Sequence, residues 1–295
     1  MGFIQLEIVD IIKKVRALEI RSRKLSTQLF SGEYHATFKG KGMLFKEVRD
    51  YYPGDDIRFI DWNVSARFGH PFSKVFEEER ERTVMLMIDL SGSTGIGSQK
   101  RTKKELMLEM AAVLAFSANS NGDKTGAILF TDKVEKYIPP KKGRQHLLYI
   151  VRALLTWEPK SLKTDYKEAL HFLQKTTRRK TILFFISDFA GSEFIKTMQA
   201  TGQRHDAIAI HLHDPIEDKL PKAGLIPLED AETGEIAWVD SSDGTLQKQW
   251  PLLQERRRKY IQTFLQKSGW DYLFCSTPDD EMAVLQKFFL KRMKH

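Results

Sequence analysis

The sequence of 295 residues contains a single cysteine, Cys275, and no long hydrophobic run. One cysteine forms no intrachain disulfide and supplies no cysteine zinc cluster. The strongly apolar stretches are short, as at residues 181–185, whereas a membrane-spanning helix needs roughly 18 apolar residues. The N-terminus alternates apolar and charged residues, which is not the pattern of a secretory signal. These absences predict a cytoplasmic protein with no membrane span.

Several catalytic motifs are also incomplete. The spacing of Gly92 and Gly97 matches a P-loop, but Ser98 stands where the lysine is required. The run "GSTGIG" reverses the glycine spacing of a dinucleotide-binding turn, and Leu90 and Gly92 do not supply the G-x-S-x-G pattern of a nucleophile elbow. An aspartyl-phosphate mechanism of the D-x-D type would need a second acid at Ser91. The sequence therefore predicts a protein that is not an enzyme.

The charge is moderately basic, with 47 lysine and arginine residues against 39 acidic residues and a net charge of +8. The densest basic cluster, "ERRRKY" at residues 255–260, lies in a helical pattern, where a charge run is usually a solvated face. No motif combines basic and aromatic residues at the spacing of a nucleic-acid reader. We therefore expect an acidic protein partner rather than a specific nucleic acid. Nucleic-acid or lipid binding through the C-terminal helices stays open as an alternative.

The pattern of apolar residues divides the chain near residue 83. Residues 3–29 have the spacing of one amphipathic helix, and residues 31–82 show short alternating runs between glycines and prolines. From Thr83 onward, apolar strands alternate with helical segments, and a hairpin signal lies at residues 223–242. This order predicts a doubly wound, mostly parallel α/β sheet flanked by helices. We expect an accessory segment over 1–82 and the main domain over 83–295.

A charged constellation lies within the accessory segment. Asp55, Asp56, Arg58, Asp61 and Arg67 fall within a short stretch that also contains a tryptophan. Arginines in such clusters usually satisfy neighbouring carboxylates. We therefore expect a buried ion-pair network that fixes the segment to the main domain, and a partner-binding site is the alternative.

Polar side chains follow the two most apolar predicted strands. Asp89, Ser91 and Ser93 end one strand, and Asp188 ends another, while Thr164 precedes a helix. Ligands of open α/β sheets bind outside the carboxyl ends of the strands. Carboxylate and hydroxyl oxygens suit Mg²⁺ or Mn²⁺, which readily retain some water ligands. The alternatives are structural: Thr164 could cap its helix, and the serines could be turn residues.

The order D-x-S-x-S, loop threonine and strand-ending aspartate resembles the metal-ion-dependent adhesion site of von Willebrand factor A domains. The resemblance implies that Ser91, Ser93 and Thr164 contact the ion. It also implies that Asp89 and Asp188 hold the ion largely through water. Neutral hydroxyl ligands leave the ion electron-poor, so we expect an acidic side chain of a partner to complete its coordination.

Three further stretches narrow the resemblance. Residues 48–69, "VRDYYPGDDIRFIDWNVSARFG", residues 77–93, "EEERERTVMLMIDLSGS", and residues 212–235 together resemble the bacterial domain-of-unknown-function family fifty-eight. Members of that family are linked with MoxR-type AAA+ ATPases and carry a divergent von Willebrand factor A domain. The resemblance implies a non-enzymatic, metal-dependent adaptor of such an ATPase. A metal-assisted hydrolase is the alternative, with Asp89 or Asp188 as base, because the three loops contain no histidine or lysine.

Overall fold

The computed structural model describes residues 43–78, 82–95, 97, 101–191 and 196–293. The helix predicted for residues 3–29 lies outside these described residues. Contacts divide the chain into two units, one formed by Phe38–Arg82 and the other containing the residues from Thr83 onward. Among the described residues, no helix is both long and apolar enough to cross a membrane.

The unit from Thr83 onward is built on a six-stranded sheet. Its strands are β3 (Thr83–Asp89), β4 (Lys124–Phe130), β5 (Val134–Lys141), β6 (Ile182–Ser187), β7 (Asp206–His213) and β10 (Asp271–Ser276). They lie in the order β10-β7-β6-β3-β4-β5, and all neighbours are parallel except β4 and β5, which are antiparallel. The predicted doubly wound, mostly parallel sheet is confirmed. Its strand order reverses between β3 and β6, which is where such sheets bind ligands.

Helices cover both faces of this sheet. They are α2 (Lys103–Ser120), α3 (Arg144–Thr156), α4 (Tyr166–Thr176), α5 (Lys196–Arg204), α6 (Gly244–Lys267) and α7 (Glu281–Met293). One face packs on α4, α5 and α6 in a cluster that includes Met85, Met87 and Phe185. The other face packs on α2 and α7, where Phe184 contacts Phe289 with ring centroids 6.5 Å apart. Burial on both faces explains why β3 and β6 read as continuous apolar runs.

Strand β5 has no counterpart in the sequence prediction. It contains Pro139 and Pro140, and proline cannot donate to a strand ladder. The strand forms because it lies at the edge of the sheet, where one side of the backbone needs no partner strand. Two shifts in its register with β4 accommodate the irregular backbone.

A hairpin projects from the unit between β7 and α6. Its strands, β8 (Leu225–Glu229) and β9 (Ile236–Asp240), pair antiparallel with each other and form a separate two-stranded sheet. Asp230 orders the turn, because its carboxylate accepts hydrogen bonds from the backbone N–H of Glu232 and Thr233, each at 2.9 Å. The hairpin buries little apolar surface, since Leu225, Ile236 and Trp238 are 59–65% exposed.

The Phe38–Arg82 unit contains β1 (Met43–Asp50), the short helix α1 (Trp62–Phe68) and β2 (Phe72–Glu78), with β1 and β2 antiparallel. The prediction of a buried ion-pair network here is wrong. Arg58 pairs with Asp56 at 2.7 Å, but the Arg58 side chain is 82% exposed. Asp61 instead caps α1 by accepting hydrogen bonds from the first turn. These charges satisfy local turns, because they lie within a few residues of one another.

Candidate metal centre

The centre of the site is Asp89, the last residue of β3. Its side chain is completely buried. Because β6 runs parallel beside β3 and Ile88 pairs with Ile186, the ends of the two strands are adjacent. Ser187 Oγ therefore donates a hydrogen bond of 2.6 Å to Asp89 Oδ2, and the backbone N–H of Ser91 donates one of 3.0 Å to Oδ1. Both carboxylate oxygens are thus fixed in direction.

The two predicted serines are brought together by a short 3-10 helix, Gly92–Gly95. The turn places Ser91 Oγ 3.2 Å from Ser93 Oγ, and both residues are buried. Thr94 fixes the turn because its hydroxyl donates a hydrogen bond of 2.8 Å to the carbonyl of Ser91. The arrangement aims two neutral oxygens at one point beside Asp89.

Asp188 follows directly after β6 and completes this group. Ser93 forms a side-chain hydrogen bond with Asp188. The backbone N–H of Ala190 donates to Asp188 Oδ1 at 3.0 Å. Between them, Phe189 has a φ of +50°, a left-handed conformation that is uncommon for a bulky residue. The strained turn is held by the burial of Phe189 and by a hydrogen bond of 2.9 Å from its N–H to Ser187 Oγ.

A buried lysine contacts the site from helix α2. Lys103 is only 1% exposed, and its Nζ donates to Asp188 Oδ2 at 2.6 Å and also to Glu217. Burial disfavours the charged amine, but the carboxylates of Asp188 and Glu217 outweigh this, so the pKa of Lys103 is raised. Burial likewise opposes ionisation of Asp188, yet Lys103 and Ser93 lower its pKa. The pair is therefore ionised within the protein.

Thr164 contacts the hairpin, and its loop contacts the serine turn. Its hydroxyl donates a hydrogen bond of 2.8 Å to Glu232 Oε1, and its N–H lies 3.3 Å from Glu232 Oε2. The loop that carries Thr164 is joined to the 3-10 helix, since the N–H of Gly92 donates to the carbonyl of Leu162 at 2.9 Å. The residue does not cap α4, because Asp165 holds the N-cap position. Thr164 is therefore available for a role other than helix capping.

The donor set suits a hard divalent cation. Burial, and then the negative charge of Asp188, raise the pKa of Asp89 to about 7. The ionised Asp89 side chain therefore has too little positive charge around it. Asp89 and Asp188 would hold Mg²⁺ or Mn²⁺ together with the hydroxyls of Ser91 and Ser93, all of which are oxygen ligands. The described residues contain no cluster of three or more His, Cys, Asp and Glu side chains placed for a metal. The predicted set is not of that type, because it combines two carboxylates with hydroxyls.

A cavity of about 370 Å³ opens beside the site. Its walls include Ser93, Lys103 and Asp188 on one side and residues 229–231 of the hairpin on another. His211 and Arg257 also line it. Burial lowers the pKa of His211 to about 3, so this ring is neutral. Arg257 donates a hydrogen bond of 2.5 Å to the carbonyl of Ala190 and thereby supports the loop after Asp188.

The sequence prediction assigned no role to three contributors to the site: Lys103, Ser187 and Glu232. The statement that the three loops contain no lysine is wrong, because Lys163 directly precedes Thr164. Lys103 also contacts Asp188, but it comes from a helix rather than from a loop. A signal for it was present, because a lysine in the first turn of a helix opposes the helix dipole and needs a carboxylate. Ser187 directly precedes Asp188, but as the last residue of the apolar strand β6 it is predicted only to be a buried strand residue. Glu232 lies in a turn with several acids, and nothing local distinguishes it.

A family model described as "Protein of unknown function DUF58" matches residues 47–260. The chain is also similar to the uncharacterized protein Rv1480 of Mycobacterium tuberculosis, with 28% identity over 283 residues. That alignment covers 95% of this chain and 89% of the relative. Because the relative is described as uncharacterized, it assigns no activity.

Solved structures share the fold at low identity. One is an aerotolerance-related membrane protein from Bacteroides fragilis, with a TM-score of 0.51, 13% identity and coverage of 72% of this chain and 98% of the other. Another is the SpRpn10 VWA domain, with a TM-score of 0.40, 11% identity and coverage of 69% and 93%. The predicted doubly wound α/β fold, with a central sheet flanked by helices, is confirmed, and the Bacteroides fragilis structure shares it.

The prediction of a cytoplasmic location is wrong. The same fold occurs in the Bacteroides fragilis protein, which is described as a membrane protein. The lack of a spanning helix among the described residues therefore assigns no compartment to this chain.

Proposed function

The chain belongs to the DUF58 family, and we propose that it is a protein-interaction module whose docking point is a divalent cation held at the carboxyl edge of its sheet. The cation is Mg²⁺ or Mn²⁺, and the docking group is a carboxylate of a partner protein. The family resemblance points to a MoxR-type AAA+ ATPase, or its client, as that partner. In this proposal the chain acts as an adaptor and has no catalytic activity of its own.

The observation that carries the proposal is the convergence of Asp89, Ser91, Ser93 and Asp188. These side chains belong to the ends of two adjacent parallel strands and are joined by hydrogen bonds directly or through Ser187. Asp89 and Ser91 are almost completely buried, so their ligand directions are set before an ion arrives. Thr164 supplies the third hydroxyl in the proposed set. A bound cation would supply positive charge for a partner carboxylate to contact directly.

The geometry favours docking over metal-assisted hydrolysis. A general base must lie within hydrogen-bond reach of the proton that it removes. Asp89 is completely buried, and the walls of the adjacent cavity include Asp188 rather than Asp89. Asp188 is paired with Lys103, and the raised pKa of Lys103 keeps its amine protonated. The carboxylate that faces the cavity is thus held by a cationic side chain.

We expect capture of a MoxR-type ATPase from the same organism to require both the cation and Ser91. Ser91→Ala removes one hydroxyl ligand without changing the net charge, so it should weaken capture at least about tenfold, the usual cost of disturbing a metal site. EDTA should have the same effect on the wild type and little further effect on the variant. The measurement is biolayer interferometry with the immobilised chain, in Mg²⁺ and in EDTA.

A charge variant separates metal docking from general electrostatic attraction. Arg256 is exposed, whereas Arg257 contacts the carbonyl of Ala190 and Arg258 contacts the ring of Phe274. Of these three arginines, Arg256 is therefore the one whose charge can be reversed without losing such a contact. Arg256→Glu should slow association and reduce its salt dependence while the requirement for Mg²⁺ persists. Equal capture of the ATPase in EDTA and by the Ser91→Ala variant would refute the cation as the docking point.

A further inference from the structure

The hairpin turn between β8 and β9 lies against the candidate metal centre. Glu232 at this turn accepts hydrogen bonds from both the hydroxyl and the N–H of Thr164. A carboxylate from the chain itself therefore contacts a proposed cation ligand. It does so at the kind of site where a carboxylate from a partner is expected.

The backbone of the turn also approaches the site closely. A Cβ atom built on Gly92 would lie 2.2 Å from the carbonyl oxygen of Ala231. The contacting atom belongs to the backbone of the hairpin, so no side-chain rotation could relieve the clash. Glycine at position 92, between the two serine ligands, is therefore what allows the hairpin to rest on the 3-10 helix.

The hairpin buries little of its own side-chain surface. The side chains of β8 and β9 are exposed or half-buried throughout. The two ends of the hairpin are joined to each other, since the hydroxyl of Ser241 donates to the carbonyl of Gly224 at 2.7 Å. Segments with little buried apolar surface belong to the least stable parts of a protein and open most readily. The hairpin can therefore leave the site without disturbing the core of the sheet.

We propose that Glu232 is an internal ligand that closes the metal centre, and that the β8–β9 hairpin must release it before a partner carboxylate binds. The proposal rests on the proposed function, because it concerns the same cation. Glu232 supplies in the closed form the negative charge that the partner supplies in the open form. Its release also removes residues 229–231 from the wall of the adjacent cavity, which widens the access of a partner to Asp188.

Hydrogen exchange of the hairpin amides tests the proposal. A two-stranded hairpin is marginally stable alone, so its amides should exchange faster when it leaves the site. In the wild type, Mg²⁺ should slow exchange in residues 225–240 about tenfold, since a charged ligand then holds the turn. Glu232→Gln should abolish this slowing, and Thr164→Val should do the same. Gly92→Ala should release the hairpin sterically and speed exchange even without the cation.

Glu235→Gln is the matched control. Glu235 lies in the same turn, is exposed and carries the same charge, so its replacement should leave the effect of Mg²⁺ on exchange unchanged. If Glu232→Gln and Glu235→Gln retain the same response to Mg²⁺, Glu232 is not an internal ligand and the proposal is overturned.

Calorimetric titration of the same samples with Mn²⁺ tests the metal centre separately from the role of Glu232. Wild-type binding of Mn²⁺ without any response of the hairpin would overturn the role of Glu232 and leave the metal centre intact. No binding of Mn²⁺ to the wild type would overturn the proposed function and the internal ligand with it. Binding of Mn²⁺ together with a hairpin response that Glu232→Gln and Thr164→Val remove and Glu235→Gln retains supports both.

Discussion

Replacing Lys103 with methionine should lower the free energy of unfolding by about 3–5 kcal/mol, measured in EDTA. The lysine side chain is 2% exposed and the Asp188 side chain is 3% exposed, so water neither screens this pair nor replaces the lost partner. Methionine has a similar length and fills the space of the lysine stem. The loss of stability therefore comes from the buried charge left on Asp188, and not from a cavity.

The neighbouring Lys104 provides the control for this substitution. It lies in the same turn of α2 but is only partly buried, so Lys104→Met should change the free energy of unfolding by no more than about 0.5 kcal/mol. Urea denaturation followed by tryptophan fluorescence measures both variants. Equal stabilities for Lys103→Met and Lys104→Met would show that Lys103 does not compensate Asp188.

Phe185→Ala should be comparably destabilising, by about 3–5 kcal/mol, because it removes a fully buried aromatic ring. Phe185 lies in β6, and its ring packs within 6 Å of the rings of Phe130, Tyr166, Phe189 and Trp270. The contact with Phe189 supports the left-handed turn after Asp188. The substitution should therefore loosen the site as well as the core.

Phe185→Leu tests, in the same experiment, how much of this loss comes from the missing apolar volume and how much from the missing aromatic ring. Leucine keeps most of the apolar contacts, so the loss should stay within about 1.5 kcal/mol. The measurement is again urea denaturation, now with hydrogen exchange of residues 187–190 as a local readout. An Ala variant as stable as the Leu variant would mean that the ring is not part of a tightly packed core.

Most of the sheet could be predicted because its central strands are continuous runs of apolar residues. β3 and β6 are buried on both faces, so their apolar runs stand out from the alternating and polar sequence around them. β5 could not be predicted in this way, since its two prolines argue against a strand and only its position at the sheet edge allows it. Local propensity fails there because tertiary context decides the outcome.

The site was predictable to the extent that it follows the ends of strands. Asp89 and Asp188 end the two most apolar strands, and parallel strands bring such ends to one edge. Lys103 and Glu232 come from elements that are distant in sequence, a helix and a hairpin turn. Only the packed structure shows which of the many lysines and glutamates meet these aspartates and Thr164.

The expected ion-pair network at Asp55–Arg67 failed for a related reason. Alternating acids and arginines over a short stretch are equally compatible with burial and with exposed turns. In the structure, Asp55 accepts hydrogen bonds from Arg49 and from the backbone of Tyr52, and Asp56 accepts from Arg58, all at the surface. Composition alone does not distinguish capping carboxylates from buried ones.

The most direct test of the metal centre is calorimetric titration of the purified chain with Mn²⁺. The wild type should bind about one ion per chain, the number expected for a single octahedral site. Asp89→Asn keeps the size of the side chain but removes its charge, so it should show no detectable binding. Asp55→Asn removes a carboxylate of the other unit and should bind like the wild type. Indistinguishable titrations of the wild type and Asp89→Asn would contradict the account.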